Sequence, residues 1–471
     1  MTPRTTCLVT LTVLALTGCR PSDVLDVPPP IGVIAGSTLA NQSGAESELA
    51  GATAQLYQSI ANYEGLLEVS EVLTDEFTWG YYANYYGVGV DARYTAETGA
   101  AEAYPEIGAG LVGPVLGARS SLLIAEAGLR KYEPASGQSK IGEAYALIGY
   151  SELIMAETFC AGTPLSVVLP GGGTQAGTSL TTDSLLGTAE AHFDSALAHA
   201  GGNDSVVGLA SVGLGRTRLD RGHFAAAASV VSSVPTGFVF NIVSDVPGGS
   251  TSQVDLYSYP DPSYGGCSEY VVADREGGTG LNYISAGDAR LVFDTTVSKT
   301  CDGGTWYYPV KFGSPSRFIP LATGVEARLI AAEAALQGGN ASTWAADLNA
   351  LRIAAPNTYL ALASSMDTLT SDSTSGAPAV EQLDVMFRER AFWLFGTGTR
   401  LGDLRRLIRQ YGRDQSTVFP SGAYVNGNNP NLPSPLPTYG TDVSISLPTA
   451  KGGSTTTNSN YKGCLSPPST A

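Results

Sequence analysis

The chain has 471 residues, with 26 Lys and Arg against 43 Asp and Glu, and a formal net charge of −17. That length can bury a sizeable core, and the acid excess argues against nucleic acid as a partner, since phosphate recognition needs a cationic surface. A hydrophobic content of 43% with 23 Tyr and 4 Trp excludes a disordered chain.

Residues 1–18 read as a signal peptide. Arg4 supplies the positive end and Leu8 to Leu16 a short apolar stretch, too short for a hydrocarbon core of about 30 Å but suited to a secretory signal. It ends in Leu16-Thr17-Gly18-Cys19, which resembles the bacterial lipobox, so Cys19 is the expected lipidation site. An ordinary secretory signal cut after Gly18, leaving a free thiol, is the alternative. Several acyl chains on one Cys anchor a protein stably without a spanning helix. Arg20 follows, where an Asp would signal inner-membrane retention, and residues 19–45, with Pro21 to Pro30, form an extended tether.

Loss of Cys7 with the signal and lipidation of Cys19 leave Cys160, Cys267, Cys301 and Cys464. Four cysteines in an exported chain imply two disulfides with three possible connectivities. Cys267 with Cys301, in one loop-rich region, and Cys160 with Cys464, pinning the tail to a helix end, is the favoured pairing. Zinc is the weaker reading: no C-x2-C spacing occurs and no His is near.

Residues 46–236 are predicted to form an N-terminal helical part, with one helix over 46–72, in which Leu49, Ala52, Leu56, Ile60 and Leu67 recur at near-helical spacing. Further helices are expected at 115–131, 139–159, 182–199, 206–219 and 221–233. In the last pair, Leu214-Gly215, Gly222, Phe224 and Ala227 partly match the tetratricopeptide spacing, although Arg218 replaces its aromatic. Residues 237–320 form a loop-rich insert with short strands near 238–243, 269–273 and 291–294. Helical pairs resume over 321–410, at 323–337, 341–354, 380–395 and 400–410. Residues 411–471, rich in Pro, Gly, Ser, Thr and Asn, read as an extended tail on the surface. The fold class is mainly α, built of tetratricopeptide-like pairs.

Enzyme signatures are thin. Gly108 to Gly113 matches G-x-G-x-x-G, but Tyr104-Pro105-Glu106 stands where a strand is required and Pro114 follows, so no dinucleotide cofactor is expected. Carboxylate pairs such as Glu68/Glu71 and Asp75/Glu76 suit glycoside hydrolysis in principle, yet among 43 acids a solvated face is the plainer reading. Aromatic residues carry more information. Trp79, Tyr81, Tyr82, Tyr85 and Tyr86 crowd around Asn84, and Trp306 and Tyr307 mark a second group in the insert. Aromatic faces beside polar groups suit sugar rings; the alternative is that they staple a loop-rich region.

Phe387-Arg388-Glu389-Arg390 through Arg400-Leu401-Gly402-Asp403-Leu404-Arg405-Arg406 resembles the C-terminal signature of the SusD/RagB family of surface nutrient-uptake lipoproteins. Trp393 and Thr397 stand where that pattern has Glu. Ala332-Glu333-Ala334, Leu348 to Arg352 and Gly287-Asp288-Ala289-Arg290 are similar to its preceding elements. Glu389, Arg390, Arg400, Asp403, Arg405 and Arg406 read as structural, an ion-pair network joining the last helices to the body. The resemblance implies a SusD-like helical scaffold, lipid-anchored in the outer membrane and facing outward. It also implies a glycan or other nutrient ligand, a SusC-type TonB-dependent transporter as partner, and no chemistry on the ligand. A helical-repeat adaptor that binds only protein and a surface glycoside hydrolase are the alternatives.

Overall fold

The computed structural model describes residues 40–61, 65–80, 85–95, 107–133, 135–160, 162–169, 173–243, 269–296, 299–301, 303–312, 318–426, 436–447 and 465. Among these, helices dominate. The expected single helix over 46–72 is two: α1 (Gln42–Ala61) and α2 (Leu66–Val72), the second starting after an extended Gly65. Asn41 caps α1 by accepting from the Gly44 amide at 3.0 Å. After strand β1 (Phe77–Trp79) and helix α3 (Tyr85–Asp91) comes α4 (Ile107–Tyr132), which contains the whole G-x-G-x-x-G stretch and Pro114. Those glycines therefore make helix and not a phosphate-binding turn.

Helix α5 (Gln138–Phe159) runs through the middle of the body, buried on nearly every side over its last four turns. It packs on α6 (Thr182–His199), whose start is capped by the Thr181 hydroxyl accepting from Ser184 N. Close approach depends on glycine here: a Cβ on Gly213 would lie 2.4 Å from the Phe193 ring and one on Gly149 2.9 Å from it. Helices α7 (Asp204–Asp220) and α8 (Phe224–Val231) form the tetratricopeptide-like hairpin. A Cβ on Gly215 would meet Val231 at 2.4 Å, so the small residue sets how closely the pair packs. Arg218, the departure from the repeat pattern, pairs instead with Glu190 at 2.8 Å.

Strands come only in two-stranded antiparallel pairs among the described residues. Two small hairpins, β2 (Thr163–Pro164) with β5 (Ser179–Leu180) and β3 (Val167–Val168) with β4 (Thr174–Gln175), fill the α5–α6 connection, which carried no strand signal. Strand β6 (Val239–Val243) pairs with β10 (Phe318–Thr323), so the two ends of the insert meet; β7 (Tyr270–Val272) reaches back to β1, and β8 (Phe293–Asp294) pairs with β9 (Tyr308–Pro309). Thr323 caps α9 (Gly324–Gln337) and Asn340 caps α10 (Ala341–Ile353). The remaining helices are α11 (Ala379–Trp393), α12 (Arg400–Arg409) and the single turn α13 (Gln415–Val418). A second apolar cluster around Trp344, Met386 and Trp393 holds α9, α10 and α11 together.

The signature residues tie these last helices to the body. Arg390 and Arg406 both bond Asp403, at 2.8 and 2.6 Å. Arg406 also reaches Glu333 on α9 and, at 3.2 Å, Asp220 at the end of α7. Glu389 receives Arg290 at 2.9 Å and Arg352 at 2.8 Å, and Arg405 donates to the Ala156 carbonyl of α5 at 2.8 Å. Burial raises the Asp403 carboxyl, but the facing guanidiniums of Arg390 and Arg406 outweigh it and hold the pKa at about 2.

Where it is described, the tail differs from the expected surface coil. Phe419, Tyr424, Tyr439, Val443 and Ile445 are core residues. Arg93 clamps the tail through the Asp442 and Pro420 carbonyls at 2.9 and 2.6 Å, and Ile445 N donates to the Thr158 carbonyl. Polar composition hid these widely spaced apolar anchors. Cys160 and Cys301 are each disulfide-bonded; Cys267 and Cys464 lie outside the described residues, while Leu465 packs on Cys160.

Candidate ligand-binding face

Strand β1 places Trp79 beside Tyr270 of β7, and the two rings meet edge to face with centroids 5.0 Å apart. The Tyr270 carbonyl accepts from Trp306 Nε1 at 3.0 Å, and Trp306 lies 5.2 Å from the Tyr308 ring. Two aromatic groups more than 200 residues apart in sequence thus share one hinge point, Tyr270, which no sequence pattern singled out. Its hydroxyl is also fixed, donating to Glu68 at 2.9 Å. Helix α3 lies against the Trp79 indole: a Cβ on Gly87 would fall within 1.9 Å of that ring.

Burial corrects two of the expected ligand contacts. Trp79 and Trp306 are each only 1% exposed, so neither offers a face to a sugar. Their indoles serve as interior support, Trp79 beneath α3 and Trp306 beside β7. Tyr307 is half-buried, edge-on to Phe293 with centroids 6.0 Å apart. Tyr81, Tyr82 and Asn84 lie outside the described residues, and Tyr85 and Tyr86 are described only as the first backbone residues of α3.

The acids beside this face are not a solvated surface either. Glu68, Glu71, Asp75 and Glu76 are at most 1% exposed. Asp75 takes a two-pronged bond from Arg400 at 2.7 and 2.9 Å and accepts from Leu281 N at 2.9 Å. Glu71 and Glu76 accept from the amides of Gly398 and Gly396 at 2.5 and 2.8 Å. Both glycines hold left-handed backbone, φ +77° and +67°, which turns those amides inward. The loop between α11 and α12 therefore grips the residues that lead into β1. Burial, and for Glu76 the neighbouring Glu71, pushes both carboxyls up. Lys311, half-buried within reach of the same pair's charge, falls to about 7 because desolvation outweighs their attraction.

A second buried carboxyl pair supports α3 from below. Asp91, its last residue, accepts from Trp79 N at 3.0 Å and from the Tyr424 hydroxyl at 2.7 Å. Glu276 faces Asp91 and accepts from the Tyr439 hydroxyl at 3.0 Å. Asp91 Oδ1 and Glu276 Oε2 find no donor, as expected of two carboxyls sharing one proton. Burial raises Asp91 to about 6 and, together with Asp91, raises Glu276 well above its usual value. Because the folded pKa of Asp91 exceeds an unfolded value of about 3.9, its contribution is full below about pH 4. It is lost as pH rises through about 6, a change of about 2–3 kcal/mol. Asp91→Asn keeps both accepted bonds and can donate to Glu276. It is therefore expected to melt higher than wild type at pH 8 and close to it at pH 4, by thermal denaturation at the two pH values.

Among the described residues no group of three or more His, Cys, Asp and Glu is placed to hold a metal ion, and no helix is long and apolar enough to cross a membrane.

The helical body with its strand pairs matches solved structures of the SusD fold. No family model matches the sequence, and no match is found among curated proteins. Solved structures do match across most of the chain. A SusD superfamily protein from Bacteroides thetaiotaomicron VPI-5482 aligns with 12% identity and a TM-score of 0.58, over 81% of this chain and 95% of that one. A SusD-like protein from Bacteroides fragilis NCTC 9343 gives 11% and 0.58 over 88% and 96%. A SusD-like carbohydrate binding protein from Bacteroides vulgatus ATCC 8482 gives 16% and 0.53 over 77% and 83%.

Proposed function

We propose that the chain is a divergent SusD/RagB-family lipoprotein of the outer membrane. It is anchored through Cys19, binds glycan or another nutrient at the cell surface without chemistry on it, and passes it to a SusC-type TonB-dependent transporter. The observation that carries this reading is the SusD fold, shared over most of the chain with structures that include a carbohydrate binding protein. The lipobox and the Glu389 to Arg406 signature support it from sequence.

Ligand contacts are assigned to Tyr81, Tyr82, Asn84, Tyr85 and Tyr86, which follow β1 in sequence, with Tyr307 of the insert as a further contact. Tyr suits this role because it brings a large amphipathic ring with few rotatable bonds to a stacking contact. Buried carboxyls at 68–76 act here as supports, since each is engaged by backbone amides, Arg400 or Tyr270. The favoured disulfides, Cys267 with Cys301 and Cys160 with Cys464, would fasten the insert and the tail; Leu465 packed on Cys160 supports the second.

Tyr85→Ala and Tyr86→Ala are each expected to weaken binding of a glycan identified by array screening by up to about tenfold, with unchanged melting. Equal affinity in both variants would move the site elsewhere. The partner is tested by purifying the full chain from outer membranes of the native organism. A TonB-dependent barrel should co-purify, and recovery of the chain alone in mild detergent would remove the transporter from the proposal.

A further inference from the structure

A separate cleft of about 220 Å³ lies where α11, α12 and α13 meet the 279–281 turn. It shares no lining residue with the aromatic face. Three arginines line it, Arg388, Arg400 and Arg413, on a chain whose net charge is −17. Their counter-charges are incomplete. Arg400 commits Nε and Nη2 to Asp75, while its Nη1 has no hydrogen-bond partner although the residue is only 5% exposed. Arg413 shares Nη2 between the Val380 carbonyl at 3.0 Å and Asp384 at 2.6 Å. Arg388 donates to the Asn282 side chain at 2.8 Å and sits 4.3 Å over the Phe392 ring. No carboxylate among the described residues is within ion-pair distance of it. Asp384, the one carboxylate in the lining, is held by Arg413, and Asp288 and Glu389, whose charges also reach Arg388, are engaged by Arg290 and Arg352, so Arg388 can take a further anion from the cleft.

The rest of the lining has the opposite polarity. Thr279 Oγ1 donates to the Phe419 carbonyl at 2.9 Å and Thr417 Oγ1 to the Asp414 carbonyl at 2.8 Å. With their protons spent, both hydroxyls meet the cleft as acceptors. Leu281, Phe387 and Leu407 supply apolar wall. The volume lies below the roughly 300–1,000 Å³ of pockets for drug-sized ligands, so the occupant is no larger than a single sugar.

We propose that this cleft binds a small hydroxy-carboxylate of monosaccharide size, a sugar acid of the uronate type, with its carboxylate on Arg388 and its hydroxyls on Thr279 and Thr417. Guanidinium suits carboxylate through paired, charge-assisted bonds. Hydroxyl donors match the two threonine acceptors. A neutral sugar leaves the surplus guanidinium without its anion.

Calorimetry on the full detergent-purified chain, with D-glucuronate and D-glucose as probes, tests this. Glucuronate should bind at least about tenfold more tightly than glucose, the scale of a hydrogen-bonded charge contact. Arg388→Gln should erase that preference and Arg388→Lys restore part of it. Arg388 is half-buried and outside the ion-pair network, so the fold should survive; if Arg388→Gln does not fold, Thr417→Val on the exposed turn should weaken glucuronate several-fold. No heat with glucuronate, equal affinity for glucose, or full affinity in Arg388→Gln or Thr417→Val would overturn the proposal.

Discussion

Asp403→Ala is expected to destabilise the protein by about 3–5 kcal/mol, measured as a shift of the denaturant midpoint, because it removes the carboxylate that two buried guanidiniums share. Arg390 would retain only Glu333 at 3.7 Å, and Arg406 would retain Glu333 and Asp220. The same carboxylate gives wild type an acid sensitivity of known sign. Its folded pKa of about 2 lies below an unfolded value of about 3.9. Its contribution of about 2–3 kcal/mol is therefore present above about pH 4 and lost as pH falls through about 2. Asp403→Ala should lack that component of acid unfolding. Glu389→Ala, which leaves Arg290 with Asp288 alone and removes the carboxylate that Arg352 pairs with, should likewise lower stability and leave ligand preference unchanged. A normal midpoint with lost binding in either variant would make these residues part of the site.

Trp79→Ala is expected to cost about 3–5 kcal/mol, the range for truncating a large buried aromatic. The indole is enclosed by Tyr270 on one edge and Gly87 on its face, so its removal leaves a cavity beneath α3. Trp79→Phe should recover much of the loss. Any fall in glycan affinity would then track stability across the two variants, because the tryptophan acts through the helix it supports. A Trp79→Ala protein with wild-type stability and lost affinity would show the ring in direct contact with ligand.

Helix positions were largely legible in the sequence because their signals are local. Thr181, Asn203, Thr323 and Asn340 cap the helices that follow them, and apolar periodicity carried the rest. The break at Gly65 was not, since Leu56, Ile60 and Leu67 keep a helical spacing across two separate helices. The buried part of the tail gives no such signal for a different reason: five anchors spread over residues 419–445 leave a polar average. At the ligand face, composition located the aromatic groups but could not separate support from contact. Burial of Trp79 depends on Gly87 and Tyr270, and the second of these is almost 200 residues away. In sequence Asp75 is one acid among many, because the Arg400 that holds it lies 325 positions on.

The most direct test of the central reading is a glycan-array screen of the full purified chain, with reducing sugar assayed in the same wells. A nutrient-capturing lipoprotein should retain one class of glycan and release no reducing ends. Absence of any retained glycan or peptide, or release of reducing sugar from the bound one, would contradict it.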